Sequence, residues 1–223
     1  IDVSSELAPA KINLALHIRG RRADGYHDID SLVVFADLGD RVAMAADGPP
    51  LLIAGPFASE LSAEDNLVAR AARAIAAEAG RPPDVALRLT KNLPVGSGIG
   101  GGSADAAATL RLLDRIWRLR LAPERLQALA LELGADVPMC LRSRSARASG
   151  RGETLTEVAG LPPLPMVLAF PAASVSTAAV FARLDAPSDP PLPPLPSSFA
   201  DASAVAAWLA QTRNGLEAAA LAD

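Results

Sequence analysis

A glycine-rich loop followed by a helical pattern is the stretch of this chain best suited to chemistry. Residues 93–110 read Leu-Pro-Val-Gly-Ser-Gly-Ile-Gly-Gly-Gly-Ser-Ala-Asp-Ala-Ala-Ala-Thr-Leu. Glycine lacks a Cβ, so its backbone can press close to a ligand, and Ser103 is of a residue type that often caps a helix. Apolar residues then recur on one helix face, at Ala106, Leu110, Leu113 and Trp117. Such a loop directs unpaired N–H groups and the positive end of a helix dipole at one point, which favours a phosphate.

Two familiar phosphate-binding loops do not match this stretch. A P-loop requires a lysine before its Ser or Thr, whereas Gly102 precedes Ser103. The glycines do satisfy the spacing of a dinucleotide-binding fingerprint, but residues 117–121 lack the acidic residue expected about twenty positions on. A flexible linker is the simplest alternative, although linkers rarely lie directly between an apolar strand and a capped helix. The loop therefore predicts a phosphate site of another type.

Three polar residues outside the loop are candidates for chemistry. The apolar residues of 12–18 alternate with polar ones, which predicts a strand with Lys11 and Asn13 on one face, about 7 Å apart. There they could grip an oxyanion or a hydroxyl, and a solvated strand face explains them equally well. Asp136 lies between the end of a predicted helix and Pro138, where partial burial would call for a partner.

Together these residues are the parts that phosphoryl transfer requires. The loop would hold the phosphates of a nucleotide, with a metal ion sharing the charge. Asp136 would accept or orient the proton of the acceptor hydroxyl, while Lys11 would keep Asp136 ionised and stabilise charge in the transition state. Position along the chain does not by itself bring the loop, the lysine and the aspartate together.

Composition narrows the class of protein. Half of the 223 residues are apolar, 21% are charged and the formal net charge is −4, without the clustered Lys and Arg excess of a nucleic-acid surface. The single cysteine, Cys140, excludes an internal disulfide, follows an apolar stretch and is expected to be a buried structural thiol. No apolar stretch reaches the roughly 18 residues of a membrane span. We therefore expect a cytoplasmic protein that binds small molecules, with no nucleic acid, membrane or obligate protein partner.

Periodicity and turn signals predict the remaining elements. A turn at Asp24 and Gly25 places Tyr26 and His27 at the start of a strand. The unbroken apolar run 166–170 predicts a buried central strand. The other predicted strands cover 12–18, 29–38, 40–45 and 85–89, with strand-like pieces in 147–158. Predicted helices cover 65–79, 123–134, 202–210 and 216–221, one more is capped at 176–177, and 185–198 is a proline-rich loop.

Five blocks of the sequence resemble one superfamily of small-molecule kinases, that of galactokinase, homoserine kinase, mevalonate kinase and phosphomevalonate kinase. Residues 94–107 fit its glycine-rich signature, with Ile99 in place of the usual leucine. The other blocks are Pro-Ala-Lys-Ile-Asn-Leu at 9–14, Arg-Ala-Asp-Gly-Tyr-His at 22–27, Asp-Asn-Leu at 65–67 and Leu-Gly-Ala-Asp-Val-Pro at 133–138. Their order and spacing are most similar to the family that phosphorylates a cytidine diphosphate-linked methylerythritol in the non-mevalonate route to isoprenoids.

The resemblance assigns roles residue by residue. Lys11 and Asp136 match the catalytic pair, and ATP and Mg²⁺ are the implied cofactors. The residues that match the ATP phosphate loop are Pro94, Val95, Gly96, Ser97, Gly98, Ile99, Gly100, Gly101, Gly102, Ser103 and Ala104. Asn13 matches a substrate contact, Tyr26 and Phe181 match two aromatics that sandwich the cytosine ring, and His27 matches a residue that hydrogen-bonds its edge. Without the resemblance, Tyr26 and Phe181 are better explained as core residues.

The resemblance also implies the fold and the reaction. We expect an α+β, two-lobed small-molecule kinase fold, with a mixed sheet in an ATP-binding N-terminal lobe over 1–159. The α/β substrate lobe over 160–223 is expected to be incomplete, because the family has a further glycine-rich C-terminal segment without a counterpart here. The expected reaction is transfer of the ATP γ-phosphoryl group to an alcohol. The alternatives are homoserine or mevalonate kinase activity, or nucleotide binding without catalysis if the C-terminal segment is absent.

Overall fold

The N-terminal part of the chain forms two long strands. In the computed structural model, which describes residues 4–171 and 176–222, β1 spans Ser5–Arg21, β2 spans His27–Met44, and the two pair. The strand predicted over 12–18 lies within β1. The two strands predicted on either side of Gly39 are one strand, β2, and a Cβ at Gly39 would collide with the carbonyl oxygen of Ala8. Glycine therefore permits a close backbone approach at this position and does not end the strand.

The chain divides into two compact units that interleave along the sequence. The first comprises Ile1–Lys11 and Ala36–Ser143, and the second comprises Ile12–Phe35 and Arg144–Asp223. They interleave because β1 and β2 each contribute residues to both. The division into lobes 1–159 and 160–223 stays a prediction.

The first unit contains a mixed sheet, as predicted. β3 (Leu51–Ala54) pairs in parallel with β4 (Leu87–Thr90), and β4 pairs antiparallel with residues 41–44 of β2. Four helices and a short 3-10 turn complete the unit: α1 (Leu67–Glu78), α2 (Gly101–Trp117), α3 (Pro123–Leu133), α4 (Val137–Arg142) and the turn Ala58–Glu60. This arrangement of strands and helices confirms the predicted α+β class.

Helix α2 forms the centre of the first unit. It packs against both α1 and α4. Its many alanines allow close approach on several sides, and Leu110, Leu112 and Leu113 are fully buried. Burial of each such side chain contributes about 1.5–3 kcal/mol. On the neighbouring helix, Asn66 caps α1 by accepting a hydrogen bond from the Val68 N–H at 2.9 Å. The packing fixes the start of α2, where the glycine loop ends.

The second unit has its own small sheet and core. Residues 29–33 of β2 pair antiparallel with β5 (Ala146–Gly150), which pairs antiparallel with β6 (Thr154–Glu157). Its helices are α5 (Thr177–Ala182), α6 (Ala202–Leu209) and α7 (Glu217–Ala220). Its core gathers Ala15, Leu32, Leu192 and Trp208. None of the helices in the described part of the chain has both the length and the apolar character needed to cross a membrane.

The apolar run 166–170 is not a strand, so the prediction of a central strand there is wrong. Val167 is 95% exposed, and Met166, Leu168 and Phe170 are exposed as well. A strand forms only where a neighbouring strand accepts its backbone hydrogen bonds. Within the described residues no strand pairs with this run. Its hydrophobicity was visible in the sequence, whereas the pairing that would make it a central strand was not.

Candidate active site

Lys11 and Asp136 meet in the first unit. Lys11 belongs to β1, and Asp136 is the residue immediately before α4. The Lys11 Nζ donates a hydrogen bond to the Asp136 Oδ2 at 2.7 Å. The ammonium group is nearly buried, whereas 44% of the Asp136 side chain is exposed. The pair therefore combines a fixed cation with a carboxylate that a ligand can reach.

The glycine loop is attached directly to Lys11. The Lys11 N–H donates to the Ile99 carbonyl oxygen at 2.9 Å. Gly100 has a φ of 69°, which favours glycine, and a Cβ there would approach the Lys11 Cβ to 3.1 Å. Lys11 thus packs against the loop as well as pairing with Asp136. These contacts bring together the loop, the lysine and the aspartate that the sequence predicted as functional.

The first turn of α2 offers free donors to an anion. The helix begins at Gly101, with Gly100 as the preceding N-cap residue, so the prediction that Ser103 is the cap is wrong. The left-handed conformation of Gly100 turns the chain into the helix earlier than the sequence signal indicated. The first helical bond runs from the Ala104 N–H to the Gly100 oxygen at 2.8 Å. The N–H groups of Gly101, Gly102 and Ser103 therefore have no acceptor within the helix, and the helix dipole favours negative charge there.

A cavity of about 370 Å³ opens over these donors. This volume lies in the range of small-molecule sites. Its walls include every predicted loop residue from Pro94 to Ser103, whereas Ala104 is fully buried. Six further residues complete the lining: Leu61, Asp65, Asn66, Leu67, Lys91 and Asp105. The cavity thus combines unpaired backbone donors with two apolar side chains, Leu61 and Leu67, and the polar residues Asp65 and Asn66 beside the start of α1.

A buried charged cluster beneath the loop was not predicted from the sequence. The Lys91 Nζ donates to the Asp105 Oδ2 at 2.9 Å and also to the Asp40 Oδ2. The other oxygen of Asp40 accepts the N–H groups of Asn92 and Leu93. A Cβ on Gly101 would lie 2.9 Å from the Lys91 Nζ, so the ammonium lies directly under the first residue of α2. The signal that could have revealed the cluster is a single carboxylate, at 105, in a helix of alanines.

Burial controls the protonation of this cluster. Desolvation raises the pKa of Asp105 from 3.8 to about 7, and the Asp40 carboxylate adds to the rise while Lys91 opposes it. Burial disfavours the charge on Lys91, but the two carboxylates outweigh that effect and raise its pKa. Asp105 Oδ1 is buried and has no hydrogen-bond partner among the described residues. Lys91 is therefore a fixed cation, and Asp105 is a carboxyl group near its titration point at neutral pH.

Arg111 ties together the elements that carry Lys11 and Asp136, and it was also missed. From α2, its guanidinium donates to Glu6 and to the Leu7 oxygen in β1 at 2.9 Å each. It also donates to the Cys140 oxygen at 2.9 Å, near the C-terminal end of α4. Cys140 is fully buried and burial raises its pKa to about 12, which confirms a structural thiol. An arginine in an amphipathic helix pattern gave no sign of this role.

The predicted substrate residues lie in the second unit. The Asn13 Nδ2 donates to the Ser31 Oγ at 3.0 Å. The rings of His27 and Phe181 are in contact, with centroids 5.3 Å apart. Tyr26 is 57% exposed, so it is not a core residue, and the Arg151 guanidinium lies over its ring. The structure thus brings His27 to Phe181 and Arg151 to Tyr26.

The His27 side chain is largely buried. Burial lowers its pKa, and the nearby Arg21 lowers it further, so the imidazole is neutral at pH 7. Its Nε2 is buried without a hydrogen-bond partner among the described residues. An unsatisfied buried polar atom is costly and unusual in a native protein. The ring nitrogen therefore has hydrogen-bonding capacity that no described residue uses.

Comparison with known proteins identifies clear similarities. A family profile described as GHMP kinases N terminal domain matches residues 66–144. A protein of Mesorhizobium japonicum named 4-diphosphocytidyl-2-C-methyl-D-erythritol kinase is 50% identical over 96% of this chain and 74% of its own length. A protein of Paracoccus denitrificans with the same name is 52% identical over 97% of this chain and 74% of its own. The chain thus spans about three quarters of the length of these relatives.

Solved structures extend the comparison to three dimensions. A crystal structure of 4-(cytidine 5'-diphospho)-2C-methyl-D-erythritol kinase covers 97% of this chain and 77% of its own, with a TM-score of 0.73 and 36% identity. Homoserine kinase from Cytophaga hutchinsonii covers 73% of this chain and 52% of its own, with a TM-score of 0.52 and 19% identity. The second similarity is one of fold alone.

Proposed function

Because the chain belongs to the 4-diphosphocytidyl-2-C-methyl-D-erythritol kinase family, we propose that it transfers the γ-phosphoryl group of ATP to the 2-hydroxyl of 4-diphosphocytidyl-2-C-methyl-D-erythritol. It is thus a phosphotransferase with an alcohol acceptor, acting in the non-mevalonate route to isoprenoid precursors. Support comes from relatives 50–52% identical over nearly the whole chain. The observation that carries the proposal is the Lys11–Asp136 pair at 2.7 Å, bonded through the Lys11 backbone to the glycine loop. We also propose a cytoplasmic location, where ATP is supplied.

The loop would hold the polyphosphate of ATP. The N–H groups of Gly101, Gly102 and Ser103 lack helical acceptors, these residues line the cavity, and they form the positive end of the α2 dipole. Backbone donors of this kind are fixed before the reaction, so they need no rearrangement when charge develops. The remaining predicted loop residues, from Pro94 to Gly100, would enclose the phosphates, with Ala104 behind them.

Asp136 and Lys11 would carry out the chemistry at the acceptor. Asp136 accepts the proton of the 2-hydroxyl while the hydroxyl oxygen forms a bond to the γ-phosphorus of ATP. The bond between the γ-phosphorus and the oxygen of the β-phosphate breaks, and ADP is released. The Lys11 ammonium orients the Asp136 carboxylate through their hydrogen bond. It also supplies positive charge where negative charge develops on the transferred group.

We propose that Mg²⁺ enters the site with ATP. The described residues contain no group of three His, Cys, Asp or Glu side chains able to hold a metal by themselves. Mg²⁺ keeps several waters and is commonly bound through substrate phosphates with one or two protein ligands. The described residues therefore fit a cation carried by the nucleotide, whose phosphate charge it would neutralise during transfer.

The substrate end would be recognised in the second unit. Tyr26 presents an exposed aromatic face and Phe181 lies against His27, so planar stacking on the two aromatics would recognise a cytosine ring. The unpartnered His27 Nε2 would hydrogen-bond the edge of the base. Asn13, already bonded to Ser31, would contact the polyol.

Substitution of Asp136 tests the proposal. Asp136→Asn keeps the size of the side chain but removes the proton acceptor, so the turnover number should fall by about 10²- to 10⁴-fold. The affinity for a non-hydrolysable ATP analogue, measured by calorimetry, should stay within about two-fold of the wild type. The control is Glu78→Gln, on an exposed ion pair with Arg125, and it should leave both quantities unchanged. Turnover by the Asn variant close to that of the wild type would refute the role of Asp136.

An acceptor screen separates this function from the alternatives. ADP should form with the cytidylated substrate and not with homoserine or mevalonate. Binding of ATP without ADP formation on any acceptor would instead identify a nucleotide-binding protein without catalysis.

A further inference from the structure

Arg151 lies over the one exposed aromatic ring that the proposed function assigns to base recognition. Its guanidinium carbon is 4.9 Å from the centroid of Tyr26, and the ring is 57% exposed. Contacts of this type are attractive, because the negative face of the ring faces the cation. The contact restricts where the guanidinium can go, so Arg151 is partly pre-organised beside the ring.

The backbone of Arg151 is held by a tight turn between β5 and β6. The Gly152 N–H donates to the Ser149 oxygen at 3.1 Å, which closes the turn. The Arg151 N–H donates to the Glu153 Oε2 at 2.5 Å. Glu153 is thereby engaged with the backbone of the turn. The turn fixes the point from which the Arg151 side chain extends to Tyr26.

The carboxylates near Tyr26 are already engaged by another arginine. Arg22 pairs with Asp28 at 2.9 Å and with Asp24 at 3.4 Å. Asp24 also accepts the Tyr26 N–H at 3.1 Å. Arg151, in contrast, makes no ion pair within the described part of the chain. Its charge helps to lower the pKa of the nearby Asp24, but its guanidinium N–H donors remain open to a ligand.

We propose that Arg151 binds the diphosphate of a nucleoside diphosphate substrate whose base lies at Tyr26. This inference rests on the proposed function and deepens it, because it assigns a residue to the charged middle of the substrate. A guanidinium can stack its face on an aromatic ring while its edge donates paired hydrogen bonds to phosphate oxygens. In a cytidine diphosphate compound the phosphates lie one sugar away from the base, a separation that an arginine side chain can span.

The alternative is that Arg151 only supports Tyr26. In that case it would affect the binding of the base whether or not phosphates are attached. A diphosphate ligand predicts instead that the effect appears only when the phosphates are present. Comparing cytidine with cytidine 5'-diphosphate therefore separates the two roles.

The experiment measures the affinity of the full chain for both nucleotides by calorimetry. Arg151→Ala should weaken cytidine diphosphate binding by about ten- to a hundred-fold, as expected for charge-assisted hydrogen bonds, and cytidine binding by less than about three-fold. Arg151→Lys, which keeps the charge but loses the paired geometry, should give an intermediate loss for the diphosphate. The matched control is Arg144→Ala, an exposed arginine of the same unit paired with Glu157, and it should change neither affinity.

A spectroscopic readout confirms that the base site survives the substitution. Tyr26 is the single tyrosine of the chain, so incorporation of 3-fluorotyrosine gives one ¹⁹F resonance from this ring. Removal of Arg151 should shift that resonance in the free protein. Saturating cytidine should still shift it in the Ala variant, which shows an intact base site.

The outcomes separate failure of this inference from failure of the proposed function. Equal losses for cytidine and its diphosphate, or no loss for either, overturn the diphosphate role while the wild type still binds both nucleotides. A wild-type chain that binds neither nucleotide overturns the inference together with the base-recognition part of the proposed function.

Discussion

The proposed phosphate-loop region and the proposed base-recognition region of this protein are built in different ways. Around the loop, charged groups are buried and bonded to one another, as in the Lys91 cluster with Asp40 and Asp105. At the proposed base-recognition region, the Tyr26 and Arg151 side chains are exposed and contact each other. A transition state needs groups fixed before the reaction, so this difference fits one region for chemistry and another for recognition. Substitutions should therefore disturb stability and turnover in the first region and ligand affinity in the second.

The largest effect on stability is expected at Lys91. Lys91→Met removes the cation between two buried carboxylates and should lower the free energy of unfolding by about 3–5 kcal/mol. Urea denaturation followed by circular dichroism measures this change. The control is Arg125→Met, which breaks the exposed pair with Glu78 and should have little effect. Similar midpoints for the two variants would contradict the view that the loop rests on a buried charged cluster.

Removal of Arg111 should act on turnover without abolishing nucleotide binding. Arg111→Ala releases the links from α2 to β1 and α4, which position Lys11 and Asp136. A misplacement of about 1 Å can cost up to about a hundred-fold, so we expect kcat to fall ten-fold or more. Steady-state kinetics together with calorimetry of an ATP analogue would check this. If ATP affinity fell as much as kcat, Arg111 would be a general structural residue and not one that positions the pair.

The pH dependence of stability should reveal Asp105. Burial raises its pKa from 3.8 to about 7, so between about pH 4 and pH 7 the folded chain holds a proton that the unfolded chain has released. Its contribution to stability therefore falls as the pH rises through that window. Asp105→Asn should flatten the dependence of Tm on pH between about 5 and 8, measured by scanning fluorimetry.

Glu78→Gln is the control for this pH experiment. Arg125 holds the pKa of Glu78 below its usual range, with burial opposing, so its stabilising contribution is complete above the unfolded-state pKa and is lost only in acid. This variant should keep the wild-type slope between pH 5 and 8. A wild-type slope in the Asp105 variant as well would show that Asp105 does not titrate in this range.

The smallest effect is expected in the exposed run of the second unit. Val167 is 95% exposed, so Val167→Lys should change the free energy of unfolding by no more than about 0.5 kcal/mol. The same substitution at Val205, which is 1% exposed in α6, is the matched control and should be severely destabilising. Thermal melts of the two variants compare them directly. A large loss at Val167 would show that the run is covered in solution.

Local signals in the sequence predicted much of the first unit. The capping residue Asn66, the proline at the start of α3 and Gly134 at its end each placed a helix end close to its observed position, whereas α4 was not predicted. These signals work because a cap or a proline acts on backbone groups within a few residues of itself. Ser103 misled the prediction for α2, since a left-handed glycine at 100 can begin a helix without any side-chain cap.

Local sequence signals did not predict the ion pairs between residues that are distant in the sequence. Lys91 pairs with Asp40, which is 51 residues away in the sequence, and Arg111 pairs with Glu6, which is 105 residues away. The burial of Asp105 was not predicted, and its position in the helix pattern does not identify the cation that compensates its charge. The run 166–170 shows the same limit in reverse, because its apolar side chains predict a strand, whereas no strand among the described residues pairs with it.

The sequence by itself determined where the glycine-rich loop lies, which residues could act on a hydroxyl, and which superfamily the chain resembles. Only the tertiary structure decided that Lys11 meets Asp136 across 125 residues and that a buried lysine supports the first turn of α2. The physical reason is the distance along the chain over which each kind of interaction acts. Backbone conformation responds to neighbours within a turn or two, whereas a buried charge is tolerated only where the whole fold delivers its counter-charge.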